Sequence, residues 1–185
     1  MQYEVEQKFR LGEQAESIIA RLAEIGASEI GEARQADHYF NHPVRDFATT
    51  DEALRIRSVG DQNWLTWKGP KIDQKTKTRR EIETALGDGS KTADEIAEVL
   101  TILGFHSVAV VRKVRKQFEI ERNGRRFELA FDCVDTVGEF LEVELLAEKD
   151  ELEAAQQALK ALCDEIGLQD SAIERMSYLG MLLDG

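Results

Sequence analysis

Tyr3-Glu4-Val5-Glu6-Gln7-Lys8-Phe9-Arg10-Leu11 alternates as a strand does, and the content of its two faces decides the fold. Tyr3, Val5, Phe9 and Leu11 share one side; Glu4, Glu6, Lys8 and Arg10 share the other. Side chains two apart on a strand point the same way, about 6.6–7 Å apart. The pattern returns far along the chain in Phe140–Leu146, where Leu141, Val143 and Leu145 oppose Glu142 and Glu144. In between, cations pair at the same spacing: Arg55/Arg57, Lys77/Arg79 and Lys113/Arg115. An ordinary solvated sheet face mixes its charges, whereas these strands sort them by sign. On an open sheet such faces would turn outward, with helices behind. On a sheet that closes on itself they would line a barrel interior.

The rest of the chain supplies more strands and a set of helices. Ala53–Val59 sets Leu54 and Ile56 against the two arginines, and Asn63–Lys68 sets Leu65 and Trp67 against Trp64, Thr66 and Lys68. Thr76–Leu86, Val110–Glu121 and Arg126–Val134 alternate likewise. Gly60-Asp61-Gln62-Asn63 and Asn123-Gly124 are hairpin turn chemistry. Helical spacing links Ala15, Ile18, Ile19, Leu22 and Ile25, up to Gly26. A second helix runs from Thr92, a candidate N-cap, through Leu103 to Gly104, and a third spans about 149–166. A short last helix from about Arg175 carries Met176, Leu179 and Leu182. Seven or eight strands and four helices without a linker predict one domain over residues 1–185. The acidic final helices read as a solvated outer face, with a homodimer contact as the other reading. Gly69–Gln74, between two cationic strands, reads as a lid or as a plain surface loop.

Composition excludes several classes. At 42% hydrophobic and 32% charged, the 185 residues can bury a core but contain no apolar run of about 18 residues. The start has no basic-then-apolar leader. Cys133 and Cys163 lie in apolar-periodic stretches, which predicts buried free thiols and a reducing cytoplasm. Net charge is −12, from 24 Lys+Arg against 36 Asp+Glu, which argues against nucleic acid and anionic membrane as partners. Yet Arg112–Arg126 holds 7 bases and 2 acids, and Lys68–Arg80 holds 6 bases and 1 acid. The histidines, His38, His42 and His106, lack a metal-ligand spacing, and Leu86-Gly87-Asp88-Gly89-Ser90 lacks the ending of a phosphate-binding P-loop.

Energetics narrow what a charged interior could hold. Like charges cannot be buried dry, because each would cost several kcal/mol. They can be buried around a ligand of opposite charge and a metal. Clustered carboxylates suit Mg²⁺ or Mn²⁺, and Arg and Lys suit phosphate oxygens. Acids and bases on separate walls describe a site for a metal-bound polyphosphate.

Six segments, in order, resemble the CYTH domain, the triphosphate tunnel metalloenzyme superfamily. Glu4-x-Glu6-x-Lys8 is similar to its ExExK signature and Arg55-Ile56-Arg57 to its RxR strand. Trp67-Lys68-Gly69-Pro70 resembles its lysine strand, Arg79-Arg80-Glu81-Ile82-Glu83 its RxExE strand, and Lys113-Val114-Arg115 its KxR strand. Phe131-Asp132 and Gly138–Glu144 resemble its closing stretch. The resemblance implies an α+β fold: a closed eight-stranded antiparallel β-barrel, the triphosphate tunnel, with peripheral helices. It implies that Glu4, Glu6, Asp132, Glu142 and Glu144 serve Mg²⁺ or Mn²⁺, two ions in all. Lys8, Arg55, Arg57, Lys68, Arg79, Lys113 and Arg115 would hold the triphosphate of ATP, tripolyphosphate or thiamine triphosphate. Lys77, Glu81 and Arg10 share the tunnel face by parity without an assigned contact. The stretch from Asp37 to Arg55 looks most like the class IV adenylyl cyclase branch, which implies conversion of ATP to cyclic AMP and pyrophosphate. The alternatives are an inorganic tripolyphosphatase or thiamine triphosphatase, in which Tyr39 and Lys68 would assist catalysis, and a non-catalytic triphosphate- or polyphosphate-binding module.

Overall fold

Eight antiparallel strands close into a barrel in the computed structural model, which describes residues 2–72, 76 and 78–185. They are β1 (Gln2–Arg10), β2 (Ser28–Asn41), β3 (Ala53–Val59), β4 (Gln62–Lys68), β5 (Arg79–Ala85), β6 (His106–Arg122), β7 (Arg125–Val134) and β8 (Gly138–Glu148). Around the barrel the order is β1-β5-β4-β3-β2-β6-β7-β8, closing back on β1. The helices are α1 (Ala15–Glu24), α2 (Phe47–Thr50), α3 (Ser90–Ile102), α4 (Leu152–Ile166) and α5 (Tyr178–Asp184). The expected closed barrel with peripheral helices is therefore the observed one.

The main apolar core lies outside the cylinder. Val5 and Phe9 of β1, Phe127 and Leu129 of β7, and Leu141 and Val143 of β8 face outward under α1 and α4. There they meet Ile18, Leu22, Leu159 and Leu162. On the opposite flank Leu54, Ile56, Leu65 and Trp67 are covered by Ile96 and Leu100 of α3, with Phe47 of α2 alongside. With apolar residues on the outer parity of the strands, the inner parity carries the charges, except at one end where Val111, Val134 and Phe140 face inward.

The chain's tail also joins β1. Among the described residues β1 pairs with β5 only at Tyr3↔Arg80 and Glu4↔Arg79. Further along β1 the tail takes over: Phe9 bridges to Ile173, and the Glu174 N–H donates to the Lys8 carbonyl at 2.7 Å. The chain then turns into α5, where the Ser177 hydroxyl caps the helix by accepting from the Gly180 N–H at 3.0 Å. Tyr178 drops into the barrel end among Tyr39, Val111, Val134 and Phe140.

Several expectations need correction. The final helix starts at Tyr178 rather than Arg175; it buries Tyr178 and leaves Leu183 and Asp184 exposed. The α3 helix starts at Ser90, with Thr92 inside its first turn. Strand β5 begins at Arg79 rather than Thr76. Residues 28–41 form the 14-residue strand β2. Cys133 is exposed, because it lies past the stretch of β7 that α4 covers, whereas Cys163 is buried as expected. Both hairpins form as read; at the second, Asn123 (φ 52°) and Gly124 (φ 72°) adopt the paired left-handed conformation of a tight turn. The described part of the Gly69–Gln74 loop is tied down, with the Lys71 N–H donating to Asp51 at 2.9 Å and the Ile72 N–H to the Thr78 carbonyl at 2.9 Å. Asp73, Gln74 and Lys77 lie outside the described residues. Among those residues, no helix is long and apolar enough to cross a membrane.

If the external core holds the barrel shut, Leu159→Ala, at a fully buried position under α4, should cost about 2–5 kcal/mol. The urea midpoint of the purified protein measures this; an unchanged midpoint would show that α4 is dispensable to the core.

Candidate active site

The inward residues line a cavity of about 1310 Å³ running through the barrel. Three groups of side chains occupy its wall, each built by neighbouring strands in register.

The first group is acidic. Glu4 and Glu6 of β1 and Glu144 of β8, where Glu6 and Glu144 are cross-strand partners, bring one carboxylate oxygen each within 4.8 Å of one another. Burial, and then the neighbouring Glu4 charge, push the Glu144 carboxyl well above its usual range. Burial raises Glu4 as well, partly offset by the Lys68 ammonium. Lys68 of β4 bridges Glu4 and Glu81 at 2.7 Å each. Although burial pulls the Lys68 ammonium down, those two carboxylates hold it above its ordinary value. Three converging carboxylates fit a hard divalent cation, which would relieve the repulsion that lifts Glu144.

The second group joins β2 to β3. Asp37, opposite Arg57 in register, accepts from Arg57 Nε at 2.7 Å and Nη2 at 2.8 Å, and from Arg55 Nη1 at 3.2 Å. Burial would raise the Asp37 carboxyl, but the two guanidinium groups hold it well below the carboxylate range. Arg55 Nη1 also donates to the Tyr39 hydroxyl at 3.4 Å.

The third group spans β6, β7 and β8. Asp132 is fully buried and accepts from Lys113 Nζ (2.9 Å), from both Nε (2.7 Å) and Nη2 (2.6 Å) of Arg115, and from the Tyr178 hydroxyl (2.9 Å). Arg115 also contacts Glu142. Burial and the adjacent Arg115 charge push the Lys113 ammonium down to about 8, although Asp132 opposes this. Burial, Glu142 and Asp132 push the Tyr178 hydroxyl up, so it remains a donor. The Tyr178 ring lies 3.9 Å from Lys8 Nζ and 5.0 Å from Lys113 Nζ, a cation–π contact to each wall. Lys8 Nζ itself donates to the Met176 carbonyl at 2.6 Å.

Of the residues singled out from sequence, Glu4, Glu6, Glu142, Glu144, Lys8, Arg55, Arg57, Lys68, Arg79, Lys113, Arg115 and Tyr39 all line this one cavity. Asp132 sits behind the wall, enclosed by its four donor bonds from Lys113, Arg115 and Tyr178. Glu142 is drawn toward Arg115, whereas Glu4, Glu6 and Glu144 form the converging set. Sequence reasoning gave no role to Asp37 or to Tyr178. The parity of residues 35, 37 and 39 was the only available sign of the first. The second carries no signal beyond a buried position on an amphipathic turn.

The chain matches the family described as CYTH domain over residues 2–177. It is 38% identical over 181 residues to the Methanocaldococcus jannaschii protein named "Putative adenylate cyclase MJ0240", covering 95% of this chain and 96% of that one. Among solved structures, the PH1819 protein of Pyrococcus horikoshii OT3 shares 37% identity at a TM-score of 0.84, over 98% of each chain. HpAC1 from Hippeastrum, named a "putative adenylyl cyclase" that "reveals a dominant" triphosphatase activity, superposes with a TM-score of 0.69 at 16% identity, over 100% of this chain and 96% of that one; at that identity the likeness shows the fold alone.

Asp132→Asn would leave Lys113 and Arg115 buried beside a neutral group, at a cost of about 3–5 kcal/mol. Because the carboxyl is depressed in the folded state, by Arg115 and Lys113 against the effect of burial, its stabilisation is fully present above the ordinary Asp value of about 3.9. It is lost as pH falls through the folded value. The gap between wild-type and variant urea midpoints should therefore be present at pH 5 and close as pH falls below about 4. A gap that widened between pH 5 and pH 3 would contradict this account.

Proposed function

The chain belongs to the CYTH domain family, and from that premise we propose that it is a Mg²⁺- or Mn²⁺-dependent enzyme acting on nucleoside triphosphates, with cyclisation of ATP to cyclic AMP and pyrophosphate as its reaction. The observation that carries the reading is the placement of a three-carboxylate cluster and two arginine- and lysine-bearing walls around one cavity. At about 1310 Å³ the cavity exceeds the roughly 300–1,000 Å³ typical of small-molecule sites, so a nucleoside as well as three phosphates can be accommodated. The 38%-identical relative named as an adenylate cyclase supports the choice of cyclisation.

In this reading Glu4, Glu6 and Glu144 would hold the divalent ion. When bound, the ion would neutralise phosphate charge and lower the pKa of the attacking hydroxyl. The chain's own groups bind and orient the substrate. Arg55, Lys113 and Arg115 present N–H donors from two walls, and Lys68 stands between the carboxylate cluster and the cationic side, tied to Glu4 and Glu81. Tyr39, whose hydroxyl accepts from Arg55 Nη1 at 3.4 Å, would stand beside the same phosphate. The barrel keeps these groups fixed on strands rather than loops, so little reorganisation is needed at the moment of reaction.

The second reading is hydrolysis of a triphosphate, with Tyr39 and Lys68 assisting. The name of the Hippeastrum protein favours keeping it, because there the same fold is credited with triphosphatase activity despite a cyclase label. One assay separates the readings: incubation with ATP, tripolyphosphate and thiamine triphosphate, each with Mg²⁺ and with Mn²⁺. Cyclic AMP with pyrophosphate is the expected outcome. Free phosphate would select the hydrolase, and tight binding without turnover would leave a binding module.

Glu6→Ala and Glu144→Ala should each remove metal-dependent turnover by more than the roughly 10–100-fold that loss of an outer-shell partner produces, while far-ultraviolet circular dichroism stays native. Full activity in both variants would overturn the metal assignment.

A further inference from the structure

Asp37 holds two arginines on adjacent positions of one strand face, yet it engages them differently. Arg57 gives Asp37 its Nε and Nη2, at 2.7 and 2.8 Å. That is the edge of a guanidinium that matches two oxyanion oxygens at once. Arg55 reaches Asp37 and Tyr39 through Nη1 alone. Its Nε is buried and has no hydrogen-bond partner among the described residues. A buried N–H without an acceptor is unfavourable, and the natural complement of an Nε–Nη2 edge is a pair of anionic oxygens. Both arginines line the cavity.

We infer that Asp37 is a positioning residue that divides the arginine pair: it locks Arg57 in place as a strut and leaves the Nε–Nη2 edge of Arg55 as a fork aimed at a phosphate group of the substrate. The inference rests on the triphosphate reading above. It assigns unequal roles to two arginines that sequence spacing presents as equivalent. It also accounts for a carboxylate in a wall meant for an anion. Two guanidinium groups at alternate positions of β3 repel each other, and Asp37 offsets that repulsion while fixing their directions. The phosphate is then gripped by oriented N–H groups more than by net charge.

The test compares Arg55→Lys, Arg57→Lys and Asp37→Asn with wild type. Binding of inorganic tripolyphosphate in calcium buffer is read by titration calorimetry, and turnover with Mn²⁺ is read separately. Lysine keeps the charge but loses the fork, so Arg55→Lys should weaken binding at least about tenfold and Arg57→Lys by less than about threefold. Asp37→Asn should bind tripolyphosphate at least about threefold less tightly although the wall gains net positive charge, and its kcat should fall at least about tenfold, because a misdirected fork loses both grip and orientation. Equal losses from the two arginine variants would overturn the inference. So would an Asp37→Asn protein whose melting temperature falls while kcat stays within about twofold of wild type, the result expected of a purely structural residue. If Asp37→Asn does not fold, the arginine pair decides alone. Wild-type protein that neither binds nor turns over a triphosphate would bring down the functional reading itself, a result distinct from wild-type activity with arginine variants of equal effect.

Discussion

The charged groups inside the barrel must be held close together and away from bulk water, and apolar packing inside the cylinder is confined to one end, where Tyr39, Val111, Val134 and Phe140 meet Tyr178. Small barrels ordinarily fill their interior with side chains that hold the strands together. Here the interior polar groups pair with one another across strands, and cohesion comes from outside. Val5, Phe9, Phe127, Leu129, Leu141 and Val143 are buried beneath α1 and α4, and Leu54 and Ile56 beneath α3. Apolar burial contributes about 25 cal/mol per Å² wherever it occurs, so an external core can support an internal site that contributes little net stability of its own. The helices are thus the condition that lets the tunnel stay polar, and their sequence periodicity belongs to the same design as the charge alternation of the strands.

The tail belongs to that design too. The β1 edge that meets β5 at Tyr3 and Glu4 also meets the segment at Ile173–Glu174 through Lys8 and Phe9. Tyr178 then ties β1 to the paired strands β6 and β7: its hydroxyl reaches Asp132 of β7, and its ring faces Lys8 of β1 and Lys113 of β6. A helix that covers the barrel end also sets the positions of cations in the wall. Packing and site geometry are therefore the same contacts seen from two sides.

Much of this was legible in the sequence, and the limits have physical causes. Parity along β1, β3, β6 and β8 fixes which residues face inward, because a strand has no other way to sort Glu4, Glu6, Arg55, Arg57, Lys113, Arg115, Glu142 and Glu144. Strand β2 was missed because its inward positions, Gln35, Asp37 and Tyr39, are polar or amphipathic, while its outward face is partly exposed, leaving no apolar stripe for the period to show. A register shift between Glu29 and Gly31 breaks the alternation further. The role of Asp37 follows from pairing with Arg57 across strands, and that of Asp132 from enclosure by three partners. Neither relation exists along the chain. Tyr178 sits on a helix whose period reveals an apolar side but not which surface it meets.

The direction of the pKa shifts gives the tunnel a polarity that composition alone does not. On the β1/β8 side, burial and mutual repulsion raise Glu144 and Glu4, so this wall holds more negative charge than it can neutralise. On the β6 side, burial and the Arg115 charge lower Lys113 toward about 8, although Asp132 and Glu142 oppose this. Lys68, although equally enclosed, is raised because it stands among carboxylates. Two lysines of one cavity thus shift in opposite senses according to the wall they occupy. Closed strand pairing keeps the carboxylate cluster of Glu4, Glu6 and Glu144 apart from the paired cations of β6. A cation at the carboxylate side would relieve the repulsion there, and a purely anionic ligand would aggravate it.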